Sequence, residues 1–404
     1  MKVLYLHQLF LTTDHAGGTR SFEFARRLVR WGHEVTVISG ATQYLTDAPV
    51  AANRGARVFE ERVEGVRVLR VPALFPHARG FRKRAAGFAV FAARALWIGL
   101  WLPHHDVLFA TSPPLTIAVP GLLISALRRT PLVFEVRDLW PEAAIEAGLL
   151  RPGLFARLLA WLSRTAYRQS RAVVTVTAGL RDALTDIGVP ERKLHLIRHG
   201  ADFELFAGLG DQQSARRELG VGEQFVAIYA GNMGRNNALD IVVEAIDLLR
   251  DRPGIEAWLL GDGMDRVRLE QLSKGLPNLR LMAAVPKREA AKYVLAADVG
   301  LICLRDGGFS HVACPNKFAD YLAAGKPVVV DCPGEVANLI NEHDIGAYAG
   351  KNDPQQLADT LVRLAGDRPA LQRMGANARR LAETVFDRDL LARQLEAVLK
   401  AAAT

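Results

Sequence analysis

Short apolar runs alternate with longer amphipathic stretches from one end of this chain to the other. A strand buried in a parallel sheet appears as a short apolar run, and the following helix returns the chain to the same edge of the sheet. The pattern therefore predicts an α/β fold of repeated strand-helix units with mostly parallel sheets. The predicted strands are Val3–His7, Glu34–Ser39, Val66–Val71, Asp106–Thr111, Leu132–Val136, Ala172–Thr177, Phe225–Ala230, Glu256–Gly261, Leu279–Met282, Val299–Cys303 and Pro327–Val330.

With 404 residues, the chain is too long for one ordinary hydrophobic core and suits two domains better. Between His199 and Gly222 the apolar periodicity weakens, and glycine and polar residues accumulate. We therefore predict a first domain over residues 1–198 and a second over residues 199–385, with an amphipathic stretch in residues 386–404.

Composition narrows the class of protein. Half of the residues are apolar and 23% are charged, which is typical of a globular chain. The three cysteines show no Cys-x-x-Cys spacing, so neither a disulfide framework nor a zinc site is expected and the compartment is expected to be reducing. The first apolar run ends at Thr12, Thr13 and Asp14, which fits a buried strand better than a signal peptide. We expect a cytoplasmic location.

The net charge of +8 favours anionic partners, and basic residues are concentrated in one segment. No acidic residue occurs from Gly65 to His105, a stretch in which Arg82, Lys83 and Arg84 precede the aromatic run around Trp97 and Trp101. Such a basic collar can lie against an anionic membrane surface, and it is equally compatible with a solvated helix. Arg94 interrupts the segment, so a transmembrane span is not expected. No nucleic-acid-binding signature is present, and no nucleic-acid partner is expected.

Gly17 and Gly18 lie between the first predicted strand and a helical pattern. Glycines there let the backbone approach a ligand, and a helix N-terminus offers N–H groups to an anion, although such glycines also serve turn geometry alone. The G-x-G-x-x-G spacing of dinucleotide-binding proteins is absent, which argues against a nicotinamide-dependent dehydrogenase.

A second candidate site lies between Cys314 and Pro327. A loop enters a predicted helix at Asn316, which ends at Gly325 before a buried strand. The helix N-terminus and Lys317 together can bind an anion, and Asp320 follows one turn later. Taken alone, these features also fit an ordinary capped helix.

Several motifs in order resemble glycosyltransferase family 4, in the branch of O-antigen and capsular enzymes that includes fucosaminyl transferases. They cover Gly17 to Val330 and are GGTRSFEFARRLVRWGHEVTVISG (Gly17–Gly40), TSPPLT (Thr111–Thr116), VRDLWPE (Val136–Glu142), YAGNMG (Tyr229–Gly234), LLGDG (Leu259–Gly263) and NKFADYLAAGKPVVV (Asn316–Val330).

The resemblance implies a GT-B fold, in which two Rossmann-like domains face each other across a cleft. It implies that the first domain binds the acceptor, the second binds a nucleotide diphosphate sugar, and residues 386–404 cross back to the first. The implied reaction is retaining sugar transfer without metal or cofactor. We expect a UDP-linked donor of the N-acetylhexosamine type and a lipid-linked or glycan acceptor in cell-surface polysaccharide synthesis.

The resemblance also implies roles for particular residues. Gly17 and Gly18 match the loop that approaches the donor phosphates, and Asp138 matches the position beside the donor sugar, with Glu135 and Arg137 alternating along the same strand end. Many members of the family bind the diphosphate with an arginine and a lysine. The corresponding positions here are Asn232 and Asn237, and Arg235 can supply the missing positive charge. Of the usual carboxylate pair, Asp320 occupies the second position and Val312 the first. The predicted donor-binding residues are Gly17, Gly18, Asn232, Arg235, Asn237, Asn316, Lys317 and Asp320.

Two other functions remain open at this point. A nucleotide-sugar 2-epimerase shares the fold and the donor but needs additional acid-base groups in the cleft. A membrane-associated scaffold that has lost catalysis is compatible with Val312, Asn232 and Asn237. Epimerisation of a nucleotide sugar without acceptor would indicate the first, and donor binding without turnover would indicate the second.

Overall fold

The computed structural model of the protein describes residues 1–42, 50, 58–72, 81–146, 148 and 150–404, and for residues 81–84 it describes the backbone alone. Its contacts divide the chain into two compact units. The first unit comprises Met1–Thr12, Thr19–Arg198 and Asp389–Thr404. The second comprises Thr13–Gly18 and His199–Arg388.

The first unit is built on an eight-stranded sheet with the order β3-β4-β2-β1-β5-β6-β7-β8. All neighbouring strands pair in parallel except β3, which is antiparallel to β4. The strands are β1 (Lys2–Leu6), β2 (Glu34–Gly40), β3 (Phe59–Val63), β4 (Val66–Val71), β5 (Val107–Ser112), β6 (Leu132–Val136), β7 (Ala172–Thr175) and β8 (Leu194–Leu196).

Helices cover both faces of this sheet because its strands are apolar on both sides. One face packs against the first helix through Phe22 and Leu28, and the other against helices that contribute Phe91, Ile124 and Tyr167. Across the described ranges, none of the helices has both the length and the apolarity that crossing a membrane requires. The helices are α1 (Arg20–Arg30), α2 (Phe81–Trp101), α3 (Ala118–Arg128), α4 (Glu142–Glu146), α5 (Leu154–Gln169) and α6 (Ala178–Asp186).

The second unit has a six-stranded sheet, entirely parallel, with the order β11-β10-β9-β12-β13-β14. Its strands are β9 (Phe225–Asn232), β10 (Ile255–Asp262), β11 (Leu279–Met282), β12 (Val299–Ile302), β13 (Val328–Val330) and β14 (Gly346–Tyr348). Its helices are α7 (Gln212–Glu218), α8 (Leu239–Leu248), α9 (Arg266–Leu272), α10 (Lys287–Ala296), α11 (Gly308–Val312), α12 (Asn316–Ala323), α13 (Glu335–His343), α14 (Pro354–Ala365) and α15 (Arg368–Thr384).

The last helix, α16 (Arg388–Ala403), contributes to the core of the first unit from Asp389 onward. Leu391, Leu395 and Leu399 are buried in the same cluster as β1 and α1, and burying such a side chain contributes roughly 1.5–3 kcal/mol. Glu396 accepts a 2.7 Å hydrogen bond from His33, which ties the helix to the turn after α1.

The predicted strands are confirmed to within two residues at either end, and the sheets are mostly parallel as expected. Three strands were not predicted. β3 alternates half-buried with exposed residues and carries three charges, whereas β8 and β14 have three residues each. Segments this short or this polar do not form an apolar run.

Candidate functional site

In the second unit, the strand order reverses beside β9, because β10 and β11 continue on one side and β12 to β14 on the other. Ligands of open parallel sheets bind beyond the carboxyl ends of the strands at such a point. Glycines leave the backbone there without side chains, and two of them, Gly231 and Gly263, adopt φ values of 147° and 158°. A Cβ atom on Gly261 would lie 1.8 Å from the carbonyl oxygen of Gly231, so only glycine permits this close packing of β9 against β10.

Helix α12 begins beside this bare backbone and is held there by Tyr321. The hydroxyl of Tyr321 accepts a 3.0 Å hydrogen bond from the backbone N–H of Ala230 and lies 3.2 Å from the carbonyl oxygen of Ile228. The helix therefore directs its free N-terminal N–H groups toward the carboxyl end of β9.

Lys317, in the first turn of α12, places its ammonium 3.5 Å from the ring centroid of Tyr229. A Cβ atom on Gly231 would lie 3.3 Å from this ammonium, so the two residues are in close contact. Among the described residues no carboxylate pairs with Lys317. Burial lowers its pKa to about 7, against a weaker opposing effect of Cys303. A cation that lacks a counter-ion beside a helix N-terminus is suited to an anionic ligand.

Asp320 lies one turn further along α12 and forms an ion pair with Lys287, the first residue of α10, at 2.9 Å between Nζ and Oδ1. The geometry is not that of a hydrogen bond, and in the described part of the chain Oδ1 has no hydrogen-bond partner. This buried carboxylate oxygen therefore keeps its capacity to accept a hydrogen bond from a ligand hydroxyl.

The loop with Gly17 and Gly18 belongs by its contacts to the second unit, although the sequence assigns residues 1–198 to the first domain. The backbone N–H of Lys287 donates to the carbonyl oxygen of His15 at 3.1 Å, and that of Arg288 donates to Thr13 at 3.2 Å. Gly17 has φ 136°, a conformation that other residues rarely adopt. The structure thus brings the glycine loop and Asp320 together on opposite ends of Lys287.

The other predicted donor-binding residues surround β9 and α12. The side-chain amide of Asn237 donates a 2.8 Å hydrogen bond to the carbonyl oxygen of Asn232, which fixes the turn after β9. Arg235, between them, is exposed and has no ionic partner among the described residues. Asn316 is the first residue of α12 and is half-buried.

In the first unit, Glu135 on β6 lies in a fully buried ion pair with Arg20. Arg20 donates to one carboxylate oxygen from Nε at 3.0 Å and from Nη2 at 2.8 Å. The hydroxyl of Thr111 donates to the other oxygen at 3.1 Å, and Arg20 also reaches the carbonyl oxygen of Ile197 at 2.8 Å. Both Glu135 oxygens are occupied by groups of the protein interior.

Arg137 and Asp138 follow the end of β6 and are half-buried. Burial raises the pKa of Asp138, and the charge of Arg137 opposes that shift. The Nε atom of Arg137 is buried without a hydrogen-bond partner among the described residues. His7, at the end of β1, is buried near Arg137, and burial together with this cation lowers the pKa of His7. These three residues form a polar group at the strand-order reversal between β1 and β5.

Lys287 and His7 were not predicted as site residues. His7 follows the buried strand β1 and Lys287 follows the partly buried strand β11, both at the carboxyl edge of a sheet, and Pro286 directly precedes the helix that begins at Lys287. This position at or after the end of a predicted strand was the signal by which the sequence could have identified both residues. The pairing with Asp320 was not visible, because 33 residues separate the two in sequence.

Comparisons with known proteins identify the two halves of the chain. Residues 16–200 match the family described as glycosyl transferase 4-like domain, and residues 224–367 match glycosyl transferases group 1. A similar relative is WcaI of Escherichia coli strain K12, described as a colanic acid biosynthesis glycosyl transferase. It is 25% identical over 393 residues, which cover 92% of this chain and 94% of WcaI.

Solved structures of similar fold cover nearly the whole chain. Sucrose-phosphate synthase from Thermosynechococcus elongatus has a TM-score of 0.75 and 16% identity, and covers 99% of this chain and 98% of its own. HepE of Anabaena, solved in complex with UDP-glucose, has a TM-score of 0.72 and 18% identity, and covers 99% and 100%. The chain is therefore a glycosyltransferase of the GT-B fold, with a glycosyl transferase 4-like domain followed by a glycosyl transferases group 1 domain.

Proposed function

We propose that this enzyme transfers a sugar, with retention of configuration and without a metal ion, from a nucleotide diphosphate sugar to a lipid-linked or glycan acceptor in cell-surface polysaccharide synthesis. The donor is UDP-linked and of the N-acetylhexosamine type. Residues 199–385 bind this donor, residues 1–198 bind the acceptor, and residues 386–404 return to the acceptor domain. O-antigen synthesis is the branch to which we assign it.

The observation that carries this proposal is the uncompensated charge of Lys317. Lys317 is half-buried, and no carboxylate of the described part of the chain pairs with it, so its charge next to the N–H groups of α12 is stabilised when a diphosphate binds. Arg235 is exposed on the neighbouring loop and supplies a second positive charge. The bare backbone at Gly231 and Gly263 leaves space for phosphate oxygens to approach N–H groups.

Asp320 is the residue of this site that accepts hydrogen bonds from the nucleotide sugar. Its buried Oδ1 is a suitable partner for the hydroxyls of a nucleotide ribose, and the ion pair with Lys287 holds the carboxylate in place. Gly17 and Gly18 contact the donor phosphates, since their loop is hydrogen-bonded to the start of α10, the helix that begins with Lys287. Asn232, Asn237 and Asn316 shape the rest of the donor site.

The names of similar proteins support the donor and the pathway. HepE was solved with UDP-glucose, which favours a UDP-linked donor here. WcaI is described by its part in colanic acid biosynthesis, which favours a surface polysaccharide as the product.

The proposed chemistry breaks the bond between sugar C1 and the diphosphate oxygen. The acceptor hydroxyl oxygen bonds to C1 on the face that the diphosphate leaves, and its proton moves to the departing phosphate oxygen. The products are the glycosylated acceptor and a nucleoside diphosphate, so atoms and charges balance without a protein nucleophile. Lys317, Arg235 and the N–H groups of α12 stabilise the negative charge that develops on the leaving group.

Asp138 is the proposed polar contact at the reacting centre, and the charge of Arg137 opposes the rise in its pKa that burial causes. Glu135 supports them from the interior, because its ion pair with Arg20 fixes the end of β6. In this assignment Glu135 is a positioning residue.

We further assign Arg82, Lys83 and Arg84 to contact with an anionic membrane surface or with the acceptor, at the inner face of the cytoplasmic membrane. Their side chains lie outside the described part of the structure. Replacing all three by glutamine is expected to weaken sedimentation with anionic vesicles and its sensitivity to salt. Equal sedimentation of both proteins would remove this assignment.

The proposed function is tested first by donor binding and then by turnover. UDP-, GDP- and TDP-sugars are screened by thermal shift, and we expect the UDP-sugar to raise the melting temperature of the wild type most. The Lys317→Ala variant should show a smaller shift than the wild type. Incubation of the donor alone then separates the activities, since epimerisation without acceptor would indicate a 2-epimerase and binding without any turnover would indicate a scaffold.

A further inference from the structure

The exposed side of α2 carries no charged side chain over its described part. Residues Ala86, Ala89, Ala93, Trp97 and Trp101 follow each other at helical spacing and are all exposed. Trp97 and Trp101 are 66% and 74% exposed, and their rings contact each other at 5.7 Å between centroids. A helix on the surface of a globular domain normally presents polar residues on this side, so the stripe is unusual.

Two neighbouring helices extend the apolar stripe. Helix α3 packs against both α2 and α5, and all three cover the same face of the first sheet. Their outward sides therefore form one surface, which we name the three-helix face. Its exposed apolar residues are Trp97 and Trp101 of α2, Val119, Leu123 and Leu127 of α3, and Leu154, Phe155, Leu158 and Trp161 of α5.

The charges of the three-helix face all have one sign. No acidic residue occurs in α2, α3 or α5. On α5, Arg157, Arg164 and Arg168 are exposed along the same side as Trp161. Large apolar patches on a protein surface indicate a binding face, and tryptophan with arginine is typical of segments at the headgroup level of a bilayer.

We propose that the three-helix face binds the surface of an anionic lipid bilayer, with the exposed tryptophans and leucines inserted at the headgroup level and the α5 arginines on lipid phosphates. This deepens the proposed membrane contact of Arg82, Lys83 and Arg84, on which it rests, and it does not involve the donor chemistry. A second copy of the chain is a poorer occupant. A two-fold contact would bring arginines toward a face without acidic partners.

The test compares full-length variants in sedimentation with vesicles of phosphatidylglycerol and phosphatidylcholine. Leu158→Gln/Trp161→Gln removes two side chains that are 55% and 62% exposed, without changing the charge. The matched control is Leu248→Gln/Leu272→Gln in the second unit, where the exposures are 55% and 46%. We expect the first variant to bind anionic vesicles at least roughly tenfold more weakly than the wild type, and the control to bind like the wild type.

Several outcomes would overturn the proposal. Unchanged vesicle binding of Leu158→Gln/Trp161→Gln would do so. If the glutamine variant of Arg82, Lys83 and Arg84 nevertheless fails to bind, only these three basic residues would be assigned to the membrane contact. A wild type that is dimeric, avoids vesicles and becomes monomeric in Leu158→Gln/Trp161→Gln would assign the face to a second copy instead. Donor-induced thermal shift is measured on the same samples, so a folding defect or a failure of the donor assignment is seen separately.

Discussion

The ammonium of Lys287 lies 2.9 Å from Oδ1 of Asp320, and the backbone N–H of the same lysine holds the glycine loop through His15. One residue thus connects the loop with Gly17 and Gly18 to the carboxylate of α12. If these residues form the donor site, as we propose, this arrangement fixes their geometry before any ligand arrives and so lowers the entropic cost of binding.

The first prediction concerns Asp320. Because hydrogen bonds to a charged acceptor contribute about 1.5–3 kcal/mol, Asp320→Asn should weaken donor binding roughly tenfold to a hundredfold in calorimetric titration. Asp320→Glu keeps the charge and should be tolerated better, and Lys317→Ala should cost less if N–H groups carry most of the diphosphate contact. Unchanged donor affinity with a lower melting temperature would leave Asp320 a structural role only.

The second prediction follows from the pKa of Lys317, which burial lowers to about 7. A bound diphosphate stabilises the protonated amine, so donor binding takes up a proton above this pH. Affinity for a UDP-sugar should therefore be highest below pH 7 and fall by up to roughly tenfold per pH unit above it. Titrations between pH 6 and about pH 8.5 in buffers of different ionisation enthalpy test this, and the same pH dependence in Lys317→Ala would refute it.

The third prediction separates structure from chemistry at Glu135. Removing the carboxylate leaves Arg20 charged and buried, so Glu135→Gln should lower the free energy of unfolding by about 3 kcal/mol. The apolar double variant Arg20→Met/Glu135→Leu should recover much of this loss. Calorimetry measures both. Full stability of Glu135→Gln together with lost turnover would instead place Glu135 at the reacting centre.

The fourth prediction concerns Asp138. If this carboxylate contacts the reacting sugar, Asp138→Asn should reduce kcat by roughly a hundredfold while donor affinity and melting temperature stay close to wild type. Asp182→Asn on the exposed side of α6 is the matched control in the same unit. A variant with normal kcat and reduced stability would show that Asp138 only caps the turn after β6.

The fifth prediction is that turnover does not need a divalent cation, because the proposed function assigns the stabilisation of the leaving diphosphate to Lys317, Arg235 and helix N–H groups. Activity should be unchanged in EDTA after exhaustive dialysis. Loss of activity that magnesium or manganese restores would contradict this assignment.

The strands were predictable from sequence because most of the buried strands are dominated by apolar residues, as in Phe225–Ala230 and Val299–Cys303. The helix after Asn316 was predictable from its end signals. Contacts distant in sequence were not. Nothing in the sequence indicates that Arg20 pairs with Glu135, or that the loop at Gly17 makes its contacts with α10, because each contact joins residues that are more than 100 positions apart in the chain.

The position of α16 has a consequence for synthesis. The first unit begins with β1, yet Leu395 and Leu399 of its core, and the Glu396 partner of His33, are translated more than 360 residues after His33. Every segment of the second unit has been made by residue 388, whereas the first still lacks one wall of its core. During translation, therefore, the half that starts first is completed last, because the apolar cluster that contains Phe24 and Val37 gains its α16 members only at the end of the chain.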